Sequence, residues 1–134
     1  MNNDYCIIYN PVSGNGKSNH LVKRLQEDLN KRNIQYTIYK SKCSGDIKSL
    51  CTNEGEKNFI IIGGDGTFNE VINGLFKRKD NYLPYLGLLP GGSGNSVMHD
   101  LQATTLNQAL ELITKNKKKM IDVMKIEYSN KINY

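Results

Sequence analysis

Phe59-Ile60-Ile61-Ile62-Gly63-Gly64-Asp65-Gly66-Thr67-Phe68-Asn69-Glu70-Val71-Ile72-Asn73-Gly74-Leu75 carries three patterns in succession. Four consecutive apolar residues suit a strand buried on both faces. The Gly63-Gly64-Asp65-Gly66 cluster suits a tight turn. Phe68, Val71, Ile72, Leu75 and then Phe76 recur on one face of a helix. Strand, glycine turn and helix in this order make one unit of a parallel sheet covered on both sides.

The same unit recurs on either side. Upstream, Tyr5-Cys6-Ile7-Ile8-Tyr9 is a second apolar run, followed by a polar, glycine-rich loop at residues 10–18. Leu21, Val22, Leu25 and Leu29 then recur at helical spacing. Residues 34–39, with the alternation Ile34/Tyr36/Ile38, predict another strand, and residues 45–51 a weaker helix. Downstream, residues 86–89 predict a strand that runs into Pro90-Gly91-Gly92-Ser93-Gly94. A helix is expected over 106–113 and a last strand over 120–126, after Lys117-Lys118-Lys119. The pattern predicts an α/β fold, a three-layer open sheet, mostly parallel and Rossmann-like.

The chain has 134 residues, one domain's worth. Hydrophobic residues make up 38% and charged residues 23%, which fits a folded globular domain rather than a disordered chain. No apolar stretch approaches the roughly 20 residues that span a bilayer. Met1-Asn2-Asn3-Asp4 has neither a basic nor an apolar leader region, so no signal peptide is expected and a cytoplasmic location is. The net charge of +5 favours anionic partners. Aromatic residues do not interleave with the basic ones, so nucleic acid is not expected among them. Cys6, Cys43 and Cys51 form no C-x-x-C pair, and they read as reduced thiols rather than a disulfide framework or a metal site.

Three glycine-rich loops, at residues 10–16, 63–66 and 91–94, each follow an apolar strand. In an open parallel sheet all three lie at the carboxyl edge, where ligands bind. Glycine lets backbone N–H groups approach an anion, and each following helix adds its positive end. Three such loops on one edge predict a di- or triphosphate ligand. Known phosphate fingerprints do not match. Gly16-Lys17-Ser18 ends like a Walker A loop, but Pro11 occupies the first glycine position. The G-x-G-x-x-G pattern fails at Asn19, Asn69 and Val97.

Thr67-Phe68-Asn69-Glu70 fits a capping box, which would explain Thr67 and Glu70 without a ligand. Asp65 is different, because a carboxylate among glycines repels an anion unless a cation or an acidic proton joins it. Asp65 is the candidate for contact with a Mg2+-bound water or for proton abstraction from an acceptor hydroxyl; a turn-forming aspartate is the alternative. His99 and Asp100 are adjacent, lack a suitably spaced nucleophile, and are expected to be structural.

Asn10-Pro11-Val12-Ser13-Gly14, the segment Gly63 to Leu75, and Leu89-Pro90-Gly91-Gly92-Ser93-Gly94-Asn95 together resemble the catalytic domain of diacylglycerol kinases. That superfamily also holds sphingosine and ceramide kinases and bacterial soluble lipid kinases. The glycine-aspartate core is shared with NAD kinases and phosphofructokinases, whereas Asn69-Glu70-Val71, continued by Asn73-Gly74, points to the lipid kinases. Lys119-Met120-Ile121-Asp122-Val123 resembles the family's strand after its last helix in this domain.

The resemblance implies that Asn10, Pro11, Val12, Ser13 and Gly14 line a nucleotide site. It implies that Gly63, Gly64, Asp65, Gly66, Thr67, Phe68, Asn69 and Glu70 form the nucleotide-binding loop, with Asp65 essential. Ser41 and Ser93 fall where members carry hydroxyl residues facing ATP. The implied reaction moves the γ-phosphoryl of MgATP to a lipid hydroxyl, diacylglycerol or sphingoid in type, with ATP and Mg2+ as cofactors. An NAD kinase-like enzyme and a non-catalytic nucleotide-binding module are the alternatives. The resemblance also implies a second, mostly β domain, which in bacterial members holds a carboxylate base and a structural Mg2+ site. The chain ends at Tyr134, near where that domain would begin, so weak nucleotide binding and little lipid turnover are expected. No metal ligand set is expected within residues 1–134. Further expectations are peripheral contact with a lipid acceptor at a membrane surface, and a homo-oligomer formed through an exposed sheet edge.

Overall fold

A computed structural model describes residues 5–53, 55 and 57–134. The leader reading at Met1-Asn2-Asn3-Asp4 therefore lies outside the described residues. The elements run β1 (Tyr5–Tyr9), α1 (Lys17–Lys31), β2 (Tyr36–Lys40), α2 (Asp46–Asn53), β3 (Asn58–Gly63), α3 (Asp65–Leu75), β4 (Leu86–Pro90), α4 (Ser96–Asp100), α5 (Leu106–Thr114), β5 (Ile126–Tyr128) and β6 (Lys131–Asn133). A single turn of 3-10 helix, Ser13–Gly16, precedes α1.

Four strands form one all-parallel sheet in the order β2-β1-β3-β4. Tyr5 is level with both Tyr36 and Asn58, and Phe59 is level with Leu86, so all four strands end together. The apolar runs form these strands because both faces are covered. Ile7, Tyr9, Ile60, Ile62 and Leu89 face α1 and α5, packing on Leu21, Leu25, Leu29 and Ala109. Cys6, Ile8, Phe59, Ile61 and Leu88 face α2 and α3, packing on Ile47, Cys51, Val71 and Leu75. Ile60, Ile61 and Ile62 are fully buried, each contributing roughly 1.5–3 kcal/mol of burial free energy. The three-layer α/β reading is what the structure shows.

From β1 the chain steps to one side to form β2, then returns to lay β3 against the opposite edge of β1. Strand order reverses there, so the carboxyl ends of β1 and β3 flank a switch point, the place where open α/β sheets bind ligands.

Three expectations differ in detail. β2 begins at Tyr36 rather than at residue 34, and Ile38 is 42% exposed, because β2 is an edge strand with only one paired neighbour. Residues 120–125 form no strand; pairing begins at Ile126 and closes on β6 instead. Ser129 and Asn130 both have positive φ (46° and 62°), the geometry of a two-residue hairpin turn, so the segment pairs locally rather than joining the sheet. The expected capping box at Thr67–Glu70 is absent, because the glycines let α3 start three residues earlier, at Asp65 with Gly64 as its N-cap. A capping box does form at Thr105 and Gln108.

After β6, the Asn73 side chain pairs with the Tyr134 backbone N–H and carbonyl, both at 3.0 Å, and Phe76 stacks on the Tyr134 ring. These bonds satisfy Asn73, one of the few buried polar side chains.

Beyond α3, the buried Arg78 guanidinium donates to Asp80 at 2.9 and 2.5 Å and to the Gly55 carbonyl at 3.4 Å. Those side-chain bonds hold the Asp80 carboxyl at a pKa of about 2. A folded-state pKa below the unfolded value, near 3.9, stabilises the fold above that value, and the contribution fades as pH falls toward 2. Asp80→Asn is expected to lower the melting temperature at pH 7 and to flatten its decline between about pH 5 and pH 2. A melting series across that range checks this; parallel curves for the two proteins would refute it.

Candidate functional site

At the switch point a cleft of about 610 Å3 opens beyond the strand ends. Asn10, Pro11, Val12, Ser13 and Gly14 after β1 line one wall. Gly64, Asp65, Gly66, Thr67 and Glu70 line the floor, where β3 passes into α3. Gly92, Ser93 and Gly94 after β4 line the other wall, and Ser41, Lys42, Cys43, Ser44 and Ile47 close the end beyond β2. All four groups meet because every strand of the parallel sheet ends at the same edge.

Side-chain bonds lock the loops to one another. Asn10 accepts the Val12 N–H at 3.1 Å and turns the first loop. Ser13 Oγ donates to the Gly91 carbonyl at 3.0 Å, joining the first loop to the third. Asp65 accepts from Ser96 N–H at 2.8 Å and from Ser96 Oγ at 3.1 Å, joining the second to the third. Glu70 Oε2 accepts the Gly45 N–H at 3.1 Å, tying α3 to the loop after β2. Asp46 holds that loop, accepting from Ser41 Oγ at 2.9 Å and from the Lys42 and Cys43 N–H groups at 2.6 and 3.3 Å. Burial alone would raise the Asp46 pKa, but these hydrogen bonds outweigh it and hold the carboxyl below the ordinary range.

Contact requires glycine at residues 63 and 92. A Cβ on Gly63 would sit 2.5 Å from Thr67 Oγ1, so the buried Thr67 packs on the strand end only if residue 63 is bare. A Cβ on Gly92 would sit 2.3 Å from Gly64 Cα and 2.7 Å from Gly64 N, so the second and third loops touch backbone to backbone.

Of the residues singled out from the sequence, Asn10, Pro11, Val12, Ser13, Gly14, Ser41, Gly64, Asp65, Gly66, Thr67, Glu70 and Ser93 all line this one cleft. Gly63, Phe68 and Asn69 do not. Gly63 ends β3 beneath the cleft, with its carbonyl accepting the Gly91 N–H. Phe68 packs against the core between the sheet, α2 and α3, and Asn69 reaches the Tyr134 carbonyl at 3.5 Å. Lys42, Cys43, Ser44, Ile47, Gly92 and Gly94 line the cleft without having been singled out as site residues. A signal for the first four existed: β2 is parallel to its neighbours, so the loop after it must reach the same edge. His99 and Asp100 are exposed on α4 and do not line the cleft.

The donor set fits a magnesium-bound polyphosphate. The first helical bond of α3 runs from Phe68 N–H to the Gly64 carbonyl, and no side chain caps Gly64. The N–H groups of Asp65, Gly66 and Thr67 are thus left outside the helix ladder. Open space surrounds Gly66, and Lys42 brings a positive charge to the cleft. Asp65 and Glu70 are the carboxylates in the lining. Mg2+ binds through one or two carboxylates together with substrate phosphates and water. Among the described residues there is no cluster of three or more His, Cys, Asp or Glu that could hold a metal ion.

The family model described as the diacylglycerol kinase catalytic domain matches residues 4–126. A diacylglycerol kinase of Staphylococcus saprophyticus is 32% identical over 135 residues, spanning 95% of this chain and 42% of the relative. Sphingoid long-chain bases kinase 1 of Arabidopsis thaliana is 33% identical over 100 residues, spanning 69% of this chain and 13% of the relative. A crystal structure of a diacylglycerol kinase from Bacillus anthracis superposes with a TM-score of 0.72 at 28% identity, covering 85% of this chain and 40% of that one. The chain spans less than half the length of these relatives.

Proposed function

The chain belongs to the diacylglycerol kinase catalytic domain family, and on that premise we propose that it is the MgATP-binding domain of an enzyme phosphorylating a lipid hydroxyl. The observation that carries the proposal is the convergence of four loops on one cleft at the switch point, with the α3 amides left uncapped. When bound, MgATP supplies the transferable γ-phosphoryl group with its charge neutralised by the metal. This chain holds it. The amides of Gly64, Asp65, Gly66 and Thr67 receive phosphate oxygens, and the walls at Asn10–Gly14 and Ser41 enclose the nucleoside. Ser93 offers a hydroxyl from the third loop. Asp65 orients a metal-bound water or accepts the proton of the acceptor hydroxyl.

The acceptor is of diacylglycerol or sphingoid type, and it binds between this domain and a second, β-rich one that the relatives' greater length accommodates. The chain binds at a membrane surface without spanning it. Among the described residues, no helix is long and apolar enough to cross a membrane.

Transfer of labelled γ-phosphoryl tests the reading. Incubated with MgATP and diacylglycerol or sphingoid base in mixed micelles, or with NAD, the 134-residue chain is expected to label lipid weakly or not at all and to leave NAD unlabelled, while still binding nucleotide. Robust lipid labelling by this chain alone would refute the two-domain part, and labelling of NAD instead would refute the acceptor class.

A further inference from the structure

Asp65 is the carboxylate on which the proposed chemistry turns, and its orientation is set by a residue outside the expected site. Ser96 gives it two hydrogen bonds: the backbone N–H to Oδ1 at 2.8 Å and Oγ to Oδ2 at 3.1 Å. One donor on each oxygen fixes the plane of the carboxylate, not merely its position. Each oxygen accepts one bond and keeps capacity for another, so a metal-bound water or an acceptor hydroxyl can still reach it.

The seat itself is rigid. Asn95, at the N-cap of α4, has a left-handed backbone (φ 53°, ψ 41°), and its side chain does not cap the helix. It closes instead on Gly92, accepting the N–H at 3.0 Å and donating to the carbonyl at 2.8 Å. Gly92 in turn lies against the Gly64 backbone. Ser96 is thus presented to Asp65 from a loop already locked to the floor of the cleft. α4 does not use the Ser96 N–H or hydroxyl in its own ladder, where the first bond runs from His99 N–H to the Asn95 carbonyl at 3.1 Å. Asp65 is exposed, so without these two donors its side chain would turn among several rotamers in water.

We infer that Ser96 is a positioning residue for Asp65, holding the carboxylate toward the bound nucleotide; the inference rests on the nucleotide reading of the cleft. The hydroxyl contributes through Asp65 and not by touching the ligand.

Calorimetric titration with MgATP tests this on five proteins: the wild type, Ser96→Ala, Ser96→Thr, Asp65→Ala and the double variant Ser96→Ala/Asp65→Ala. Ser96→Ala is expected to weaken binding roughly three- to tenfold, the size of a typical net hydrogen bond. Ser96→Thr keeps the donor and should stay within about twofold of the wild type. In the Asp65→Ala background, Ser96→Ala should add no further loss, because the two act as one unit. A merely structural serine would cost the same in both backgrounds. Equal losses in both, or no loss in the single variant, would overturn the inference while leaving the nucleotide reading in place. A wild type that does not bind MgATP would overturn the nucleotide reading and this inference with it.

Discussion

Gly92→Ala is expected to weaken the fold and to abolish MgATP binding at concentrations that saturate the wild type. The added methyl would lie 2.3 Å from Gly64 Cα and 2.7 Å from Gly64 N. Both are backbone atoms at the junction of β3 and α3, so no side-chain rotation relieves the overlap. The third loop must move outward by about an ångström to restore an ordinary contact, and overpacking of this kind costs roughly 1–3 kcal/mol. The movement would strain the Asn95 bonds to Gly92 and pull Ser96 away from Asp65, opening the cleft along its length. A fall of several degrees in Tm together with lost nucleotide binding is the expected pair of readouts. Gly66→Ala is the control: its methyl meets nothing within 4 Å, so the fold should be unaffected. Unchanged binding in Gly92→Ala would show that contact between the second and third loops is not needed for the site.

Asp65→Ala separates two roles by sign. A carboxylate beside a polyphosphate repels it, by about 1 kcal/mol per charge pair at 4 Å in water. If Asp65 were only a turn residue, its removal would leave ATP binding unchanged or stronger, with or without metal. If it acts through a metal-bound water, its removal weakens MgATP while metal-free ATP binds as well or better. The expected result is a loss of about tenfold for MgATP, at the lower end of the range for hydrogen bonds involving charged groups, and no loss in the presence of a chelator. Asp65 is exposed and lies outside the hydrophobic core, so the variant should keep its fold. Thermal-shift titrations with and without Mg2+ read both arms. Equal weakening in both conditions would contradict the metal role.

The fold was legible where burial is two-sided. The runs at Tyr5–Tyr9 and Asn58–Gly63 stand out because a strand covered on both faces has little room for polar residues. Once those strands are parallel, the three glycine loops must share an edge, and most of the cleft follows. The fourth wall was harder to see. β2 is a half-covered edge strand, and the loop after it is held by the Asp46 carboxylate rather than by a glycine cluster. Side-chain bonds between loops were hidden for a different reason. Ser13–Gly91, Asp65–Ser96 and Gly45–Glu70 join residues far apart in the chain, and local patterns carry no trace of them. Glu70 shows the limit well, since its spacing from Thr67 suits a capping box while the fold gives it to Gly45. The segment at 120–125 failed as a strand because apolar content alone supplies no pairing partner, whereas the turn at Ser129 and Asn130 supplies one locally.

In this reading the loops after β1, β2, β3 and β4 form a single nucleotide site. Amide-resolved NMR of the 134-residue chain, titrated with MgATP, tests it most directly. The amides of Gly14, Ser41, Gly64 to Thr67 and Gly92 to Gly94 are expected to shift together along one saturating curve, with the β5–β6 hairpin unmoved. Shifts confined to one loop, shifts centred elsewhere, or none at millimolar MgATP would contradict it.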